Sequence, residues 1–141
     1  MQLDIYLNYQ GNCEQAFKFY EEHLGGTIKA VMRHRDQPAM GGPIPADWGD
    51  KILHAHMTLG GTELLGADIP QAQPMKSAYL SLTLDSDAEA DRVYALLKDG
   101  GDVFMPMQTT FFASRFAMLR DRFGTSWMLV TPAPQQAQSG H

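Results

Sequence analysis

The chain has 141 residues, enough to bury a core without disulfide or metal staples, and carries 11 Lys plus Arg against 16 Asp plus Glu, a formal charge of −5. With a pI near 5.4 and no Lys/Arg run, it is a poor partner for nucleic acid or an anionic membrane. No apolar run approaches the roughly 18 residues a membrane span needs, and a single cysteine, Cys13, cannot close an internal disulfide, which implies a reducing cytoplasm.

The first ten residues, MQLDIYLNYQ, have neither a basic n-region nor a long apolar h-region, so the chain reads as untargeted. Gln2 to Tyr9 alternates and is rich in β-branched and aromatic residues, which predicts a first strand. Asn12 is a good N-cap residue with Gln15 three positions on, and Cys13, Ala16, Phe17, Tyr20 and Leu24 then form one apolar helical stripe. Gly25 supplies the left-handed residue that ends the helix, and Thr27 to His34 reads as a second strand.

Asp36 to Asp50, DQPAMGGPIPADWGD, is a loop of the length that covers pockets or merely connects, and Trp48 is its one large anchor. Lys51 to Leu59 alternates, with Leu53, Ala55, Met57 and Leu59 on one face and Ile52, His54, His56 and Thr58 on the other. Gly60-Gly61 turns it back into Thr62 to Asp68 as a hairpin, and the proline-broken stretch 69–76 is the linker that follows.

The order then repeats. Ser77 to Leu84 is a strand with Leu80, Leu82 and Leu84 opposite Tyr79, Ser81 and Thr83. Ser86 with Glu89 makes a capping box for a helix whose stripe is Ala90, Val93, Tyr94 and Leu97, closed by Gly100. Strands are predicted at Asp102 to Gln108, Ser114 to Asp121 and Ser126 to Thr131, and residues 133–141 form a polar, disordered tail. The plan of NCEQAFKFYEEHLGG thus returns in SDAEADRVYALLKDGG at a near-constant offset. The expectation is an α+β fold of two βαβββ modules, 1–68 and 77–132, in one domain. Their helices lie on the convex face of a curved mixed sheet, and the face the two modules share is a cleft.

These modules, with the stretches YLNYQGNCEQAFKFY, IPADWGDKILHAHMTLGG and DRFGTSWML, resemble the vicinal oxygen chelate superfamily of glyoxalase I, extradiol dioxygenases and bleomycin resistance proteins. Within it they resemble the PhnB-like, or demethylubiquinone methyltransferase-like, branch, up to Pro132. No Gly-rich strand-to-helix loop with a downstream acidic residue is present for a nucleotide-like cofactor. The resemblance implies a homodimer and a metal held by the first and last strands of each module. Carried over, those positions are Ile5, Leu65 or Gly66, Tyr79 and Met128. None is an imidazole or carboxylate, so no metal and no other cofactor is expected, and metal-dependent isomerisation or ring cleavage is placed in doubt.

The remaining candidates follow from residue type. His54 and His56, at i and i+2, share a strand face turned toward the cleft. They either hydrogen-bond a ligand or chelate a metal with Asp68 or Glu63 as third donor. Tyr79 can donate its hydroxyl or act as an acid, or it fills the space of the missing metal, and Ser81 adds a hydroxyl beside it. Arg115, near Phe111, Phe112 and Phe116, has the fork to clamp a carboxylate or phosphonate, unless it is solvated. With Ile5, Leu7, Tyr9, Trp48 and Met128, these make the expected ligand-binding set, and Tyr79, His54 and His56 are the catalytic candidates. Three functions remain open: a small-molecule-binding protein, an enzyme among its forms; a sequestering binder of the bleomycin-resistance kind; and a metal-dependent lyase or dioxygenase with a relocated His54/His56 site.

Overall fold

The computed structural model describes residues 1–37 and 43–134; the predicted tail from 135 onward lies outside the described residues. Two units divide the chain, Met1–Pro74 and Met75–His141. The first contains β1 (Ile5–Tyr9), α1 (Cys13–Leu24), β2 (Thr27–Arg33), β3 (Ile52–Leu59) and β4 (Thr62–Asp68), with a 3-10 turn at His34–Asp36. The second contains β5 (Leu80–Thr83), α2 (Asp87–Lys98), β6 (Asp102–Gln108), β7 (Ala113–Arg120) and β8 (Ser126–Pro132). Each unit is βαβββ around its own open four-stranded mixed sheet, in the orders β1-β4-β3-β2 and β5-β8-β7-β6. Among the described residues no helix is long and apolar enough to cross a membrane.

The cores follow the apolar stripes. In unit 1 Cys13, Ala16, Phe17 and Tyr20 of α1 are buried against Leu64 and Met57, and the Tyr9 ring meets Phe17 edge-on at 6.1 Å. Gly66 lets the helix approach, since a Cβ there would meet Phe17 at 2.8 Å and the Cys13 Sγ at 3.1 Å. In unit 2 Ala90, Val93 and Leu97 pack on Ala117, Leu119, Trp127 and Leu129. Burial of each Val, Leu, Phe or Met among these contributes about 1.5–3 kcal/mol, and of each alanine less.

Several local expectations are corrected. Asn12 makes no side-chain cap; the buried carboxylate of Asp68 does the work, its Oδ1 accepting the N–H groups of Gly11 and Cys13 at 3.0 and 2.9 Å. The expected capping box at Ser86 is half made: Ser86 Oγ accepts the Glu89 N–H at 3.1 Å, but the Glu89 carboxylate takes Arg92 instead. Ile52 does not share the exposed histidine face of β3, because a register shift between Met32 and Arg33 buries it and aims its N–H at Asp68 Oδ2, 2.8 Å away. The fifth strand starts three residues late: Ser77, at φ 57, is left-handed, so Tyr79 lies just before β5 rather than in it.

Candidate functional site

The helices cover one face of each sheet, and the register assigns the other. In unit 1 Leu7 pairs with Gly66 and Ile5 with Leu64 on the α1 side. Strand parity therefore puts Tyr6 and Asn8 on the open side. Tyr6 stands opposite Leu65, which is opposite His56 on β3, which is opposite Ala30 on β2. His54 follows two residues away, its ring centroid 6.1 Å from that of Tyr6. Leu7 and Tyr9, expected to line the site, are 8% and 2% exposed and belong to the core, and Ile5 shares their side. The β1 residues on the open face are Tyr6 and Asn8, which the sequence reasoning passed over; the alternation of IYLNY was the available signal.

His56 Nε2 is hydrogen-bonded to Glu63 Oε2, from the neighbouring strand. A carboxylate oxygen only accepts, so Nε2 is the donor in this pair and Nδ1 is the ring's other nitrogen. Partial burial of the ring, and after it the proximity of Cys13, pushes the Tyr6 hydroxyl above its usual range, so it donates at neutral pH. The open face of unit 1 therefore carries an imidazole held by a carboxylate, a phenol and a second imidazole.

Around the N-terminal end of α1 the groups are structural. His34 is 2% exposed and its Nε2 donates to the Asp68 carbonyl at 3.0 Å. The Trp48 ring lies 6.5 Å from His34, and its Cζ2 would stand 3.4 Å from a Cβ at Gly11. Trp48 thus packs against this end of α1. Cys13 is fully buried and its thiol is pushed far up, first by burial and then by Asp68 and Glu14, so it is no nucleophile.

In unit 2, Ser81 pairs with Met128, which pairs with Met118, and Thr83 pairs with Val130, which pairs with Phe116. These lie opposite the buried Leu129, Ala117 and Leu119 and form the open face. At one end Phe111, Phe112 and Phe116 stack edge-on in series at 5.2 and 5.1 Å. At the other Arg120, opposite Ser126, lies with its Cζ 5.2 Å from the Phe104 ring centroid. Tyr79 meets Phe104 edge-on at 6.5 Å.

Arg115 goes the other way. It projects to the helix side, its Nε 3.0 Å from Asp91 and its Nη1 3.4 Å from Asp87 on α2. There it borders a shallow groove of about 530 Å³ with Asp91, Tyr94, Lys98 and Gln108. Strand register brings Ser81 and Met128 together on one open face and His54 with His56 on another, while Tyr79 lies just before β5 against Phe104 and Arg115 is on neither face.

Both units have the single helix on a βαβββ sheet that the sequence resemblance implied, and a family model described as the glyoxalase/bleomycin resistance protein/dioxygenase superfamily matches residues 2–129. The chain belongs to that superfamily. A protein of solved structure from Pseudomonas aeruginosa, PA1353, is 41% identical and superposes with a TM-score of 0.80, covering 94% of this chain and 98% of that one. A PhnB protein from Bacillus cereus is 25% identical, with a TM-score of 0.78 over 93% of this chain and 99% of its own. Protein YjdN of Escherichia coli K12 is 28% identical over 98% of this chain and 100% of its own length.

Members of this superfamily that use a metal need hard or borderline donors, and the residues present do not fit one. Of the positions implied, Ile5 and Gly66 lie on the helix side, Leu65 and Met128 offer no oxygen or nitrogen, and Tyr79 alone has a polar atom. The relocated site fares no better: Asp68 is buried as a cap and Glu63 is taken by His56. Among the described residues no three His, Cys, Asp or Glu side chains are grouped to hold a metal ion.

Proposed function

We propose that the chain is a small-molecule-binding protein of the PhnB-like type that holds its ligand on the open sheet faces without the superfamily metal. His56, oriented by Glu63, is its proton acceptor. The observation that carries this is the pairing of His56 with Glu63 on the uncovered side of β3 and β4. A histidine whose Nε2 is held by a carboxylate presents Nδ1 in fixed orientation, the arrangement a general base needs. Tyr6 and His54 stand on the same face as donor and second imidazole, and Tyr79 plays the donor's part in unit 2. Sequestration without turnover is a second reading, favoured by the sealing of Cys13, which removes the chain's thiol nucleophile.

Native mass spectrometry of freshly purified protein tests the proposal, with a parallel metal analysis. The expected result is a retained small molecule on a homodimer, with metal well below one equivalent and a melting temperature unmoved by EDTA. Loss of that molecule in His56→Ala and Glu63→Gln supports the site. A stoichiometric metal lost in His56→Ala would overturn the metal-free reading. Absence of any retained compound, with metabolite panels leaving the melting temperature unmoved, would overturn the binding reading.

A further inference from the structure

Arg120 is held in a way no surface arginine needs. Its Nε donates to the Met75 carbonyl at 3.1 Å, its Cζ lies 5.2 Å from the Phe104 ring centroid, and the side chain is only 20% exposed. Yet no carboxylate reaches it at hydrogen-bond distance among the described residues. Asp102, 72% exposed, stands 3.9 Å from Nη1, beyond a hydrogen bond. Arg33, Arg35, Arg92 and Arg115 each have a carboxylate at hydrogen-bond distance, from Glu14, Asp50, Glu89 and Asp91. In a chain of net charge −5, a partly desolvated guanidinium left in this state is a preorganised receptor, because fixing its position costs nothing further when an anion arrives.

Its surroundings define the rest of the ligand. Arg120 lies on the same face of β7 as Met118 and Phe116, and Met118 pairs with Met128. Methionines form an adaptable apolar floor for a flat or aliphatic body. The exposed Ser81, opposite Met128, adds a hydroxyl beside it.

We infer that Arg120 is the anion anchor of the unit 2 open face, and that the ligand carries a carboxylate or phosphoryl group on an apolar body lying over Met118 and Met128. This deepens the function proposed above and rests on its assignment of the open faces. The guanidinium takes the anion through its Nη donors, while Nε stays on Met75. The phosphoryl and carboxylate arms of the test separate the two head groups.

The test follows the methyl resonances of Met118 and Met128 in the full chain during titration with phenylacetate, phenyl phosphate and the neutral benzyl alcohol. Phenylacetate or phenyl phosphate should bind at least about tenfold more tightly than benzyl alcohol. Arg120→Gln should abolish that preference without changing benzyl alcohol binding. Arg120→Lys keeps a cation and a donor for Met75 while losing the fork, and should keep the fold and an intermediate preference. Arg92→Gln removes one charge elsewhere and should change nothing. Equal binding of charged and neutral probes, or an anion preference surviving Arg120→Gln, would overturn the anchor while leaving the open-face reading intact. If no probe moves either methyl, the anchor fails, and the retained-ligand experiment independently decides the open-face reading.

Discussion

Asp68, 55 residues along the chain from Cys13, accepts that residue's N–H at 2.9 Å and so caps α1 from the end of β4. The same carboxylate takes Gly11 and Ile52, and its own carbonyl takes His34. One buried acid thereby ties the helix start, the β3 start and the 3-10 turn together.

Asp68→Ala strands three N–H donors, those of Cys13 and Ile52 buried and that of Gly11 partly so. The expected cost is about 3–5 kcal/mol, read as a fall in urea midpoint at unchanged slope. Asn12→Ala should change stability by less than about 0.5 kcal/mol, since Asn12 caps nothing with its side chain. A large effect at Asn12 with a small one at Asp68 would contradict the assignment.

Cys13 should be silent in the native state. Its thiol is sealed and raised above the ordinary value of 9.0 by burial, so the unfolded chain ionises first. The contribution to stability is complete below that value and is lost as the pH rises past it. Ellman's reagent at neutral pH should react only at the rate of unfolding, and Cys13→Ser should flatten the alkaline loss of stability. Rapid native labelling would refute the burial.

Glu14 and Arg33 meet through two hydrogen bonds of 3.1 and 2.7 Å. The hydrogen bond from Arg33 holds the Glu14 carboxyl below its ordinary 4.5. A depressed acid stabilises the fold above its unfolded value and loses that contribution as the pH falls through the folded one. Because Glu14 is 35% exposed, solvent screening keeps the pair below about 1 kcal/mol. A double-mutant cycle with Glu14→Gln and Arg33→Met should show coupling at pH 7 that disappears at pH 3.

Gly66→Ala should cost about 1–3 kcal/mol, because the added methyl meets the buried Phe17 ring at 2.8 Å. Gly101→Ala should cost more, since its Cβ runs into the Arg120 carbonyl, a backbone atom that cannot step aside as a side chain can. Thermal melts of the two variants give the ranking, and the reverse order would count against this packing.

Much of the architecture was legible locally. The α1 stripe Cys13, Ala16, Phe17 and Tyr20, the Gly25 stop at φ 78 and the β3–β4 hairpin at Gly60-Gly61 all follow from periodicity and turn chemistry. Within the candidate site the shared face of His54 and His56 was readable from their spacing. Glu63 was visible only as a possible third metal donor, not as the partner of His56. Ile5 comes with the family positions and Leu7 and Tyr9 with the expected ligand-binding set, although the apolar alternation of the strand assigns all three to the helix side. Arg115 could not be placed, because a bulge between Ala113 and Arg115 shifts the register and its acid partners come from α2.

The sequence by itself determined the duplicated βαβββ plan and the residue types at the positions the resemblance implies for a metal, because hydrophobic period and residue type are local properties. Only the tertiary structure decided that Asp68 is a cap, that Glu63 is bonded to His56, and that Arg120 lies on the open face of unit 2. Each of those depends on strand register and on residues far apart in the chain, and a one-residue slip sends a side chain to the opposite face.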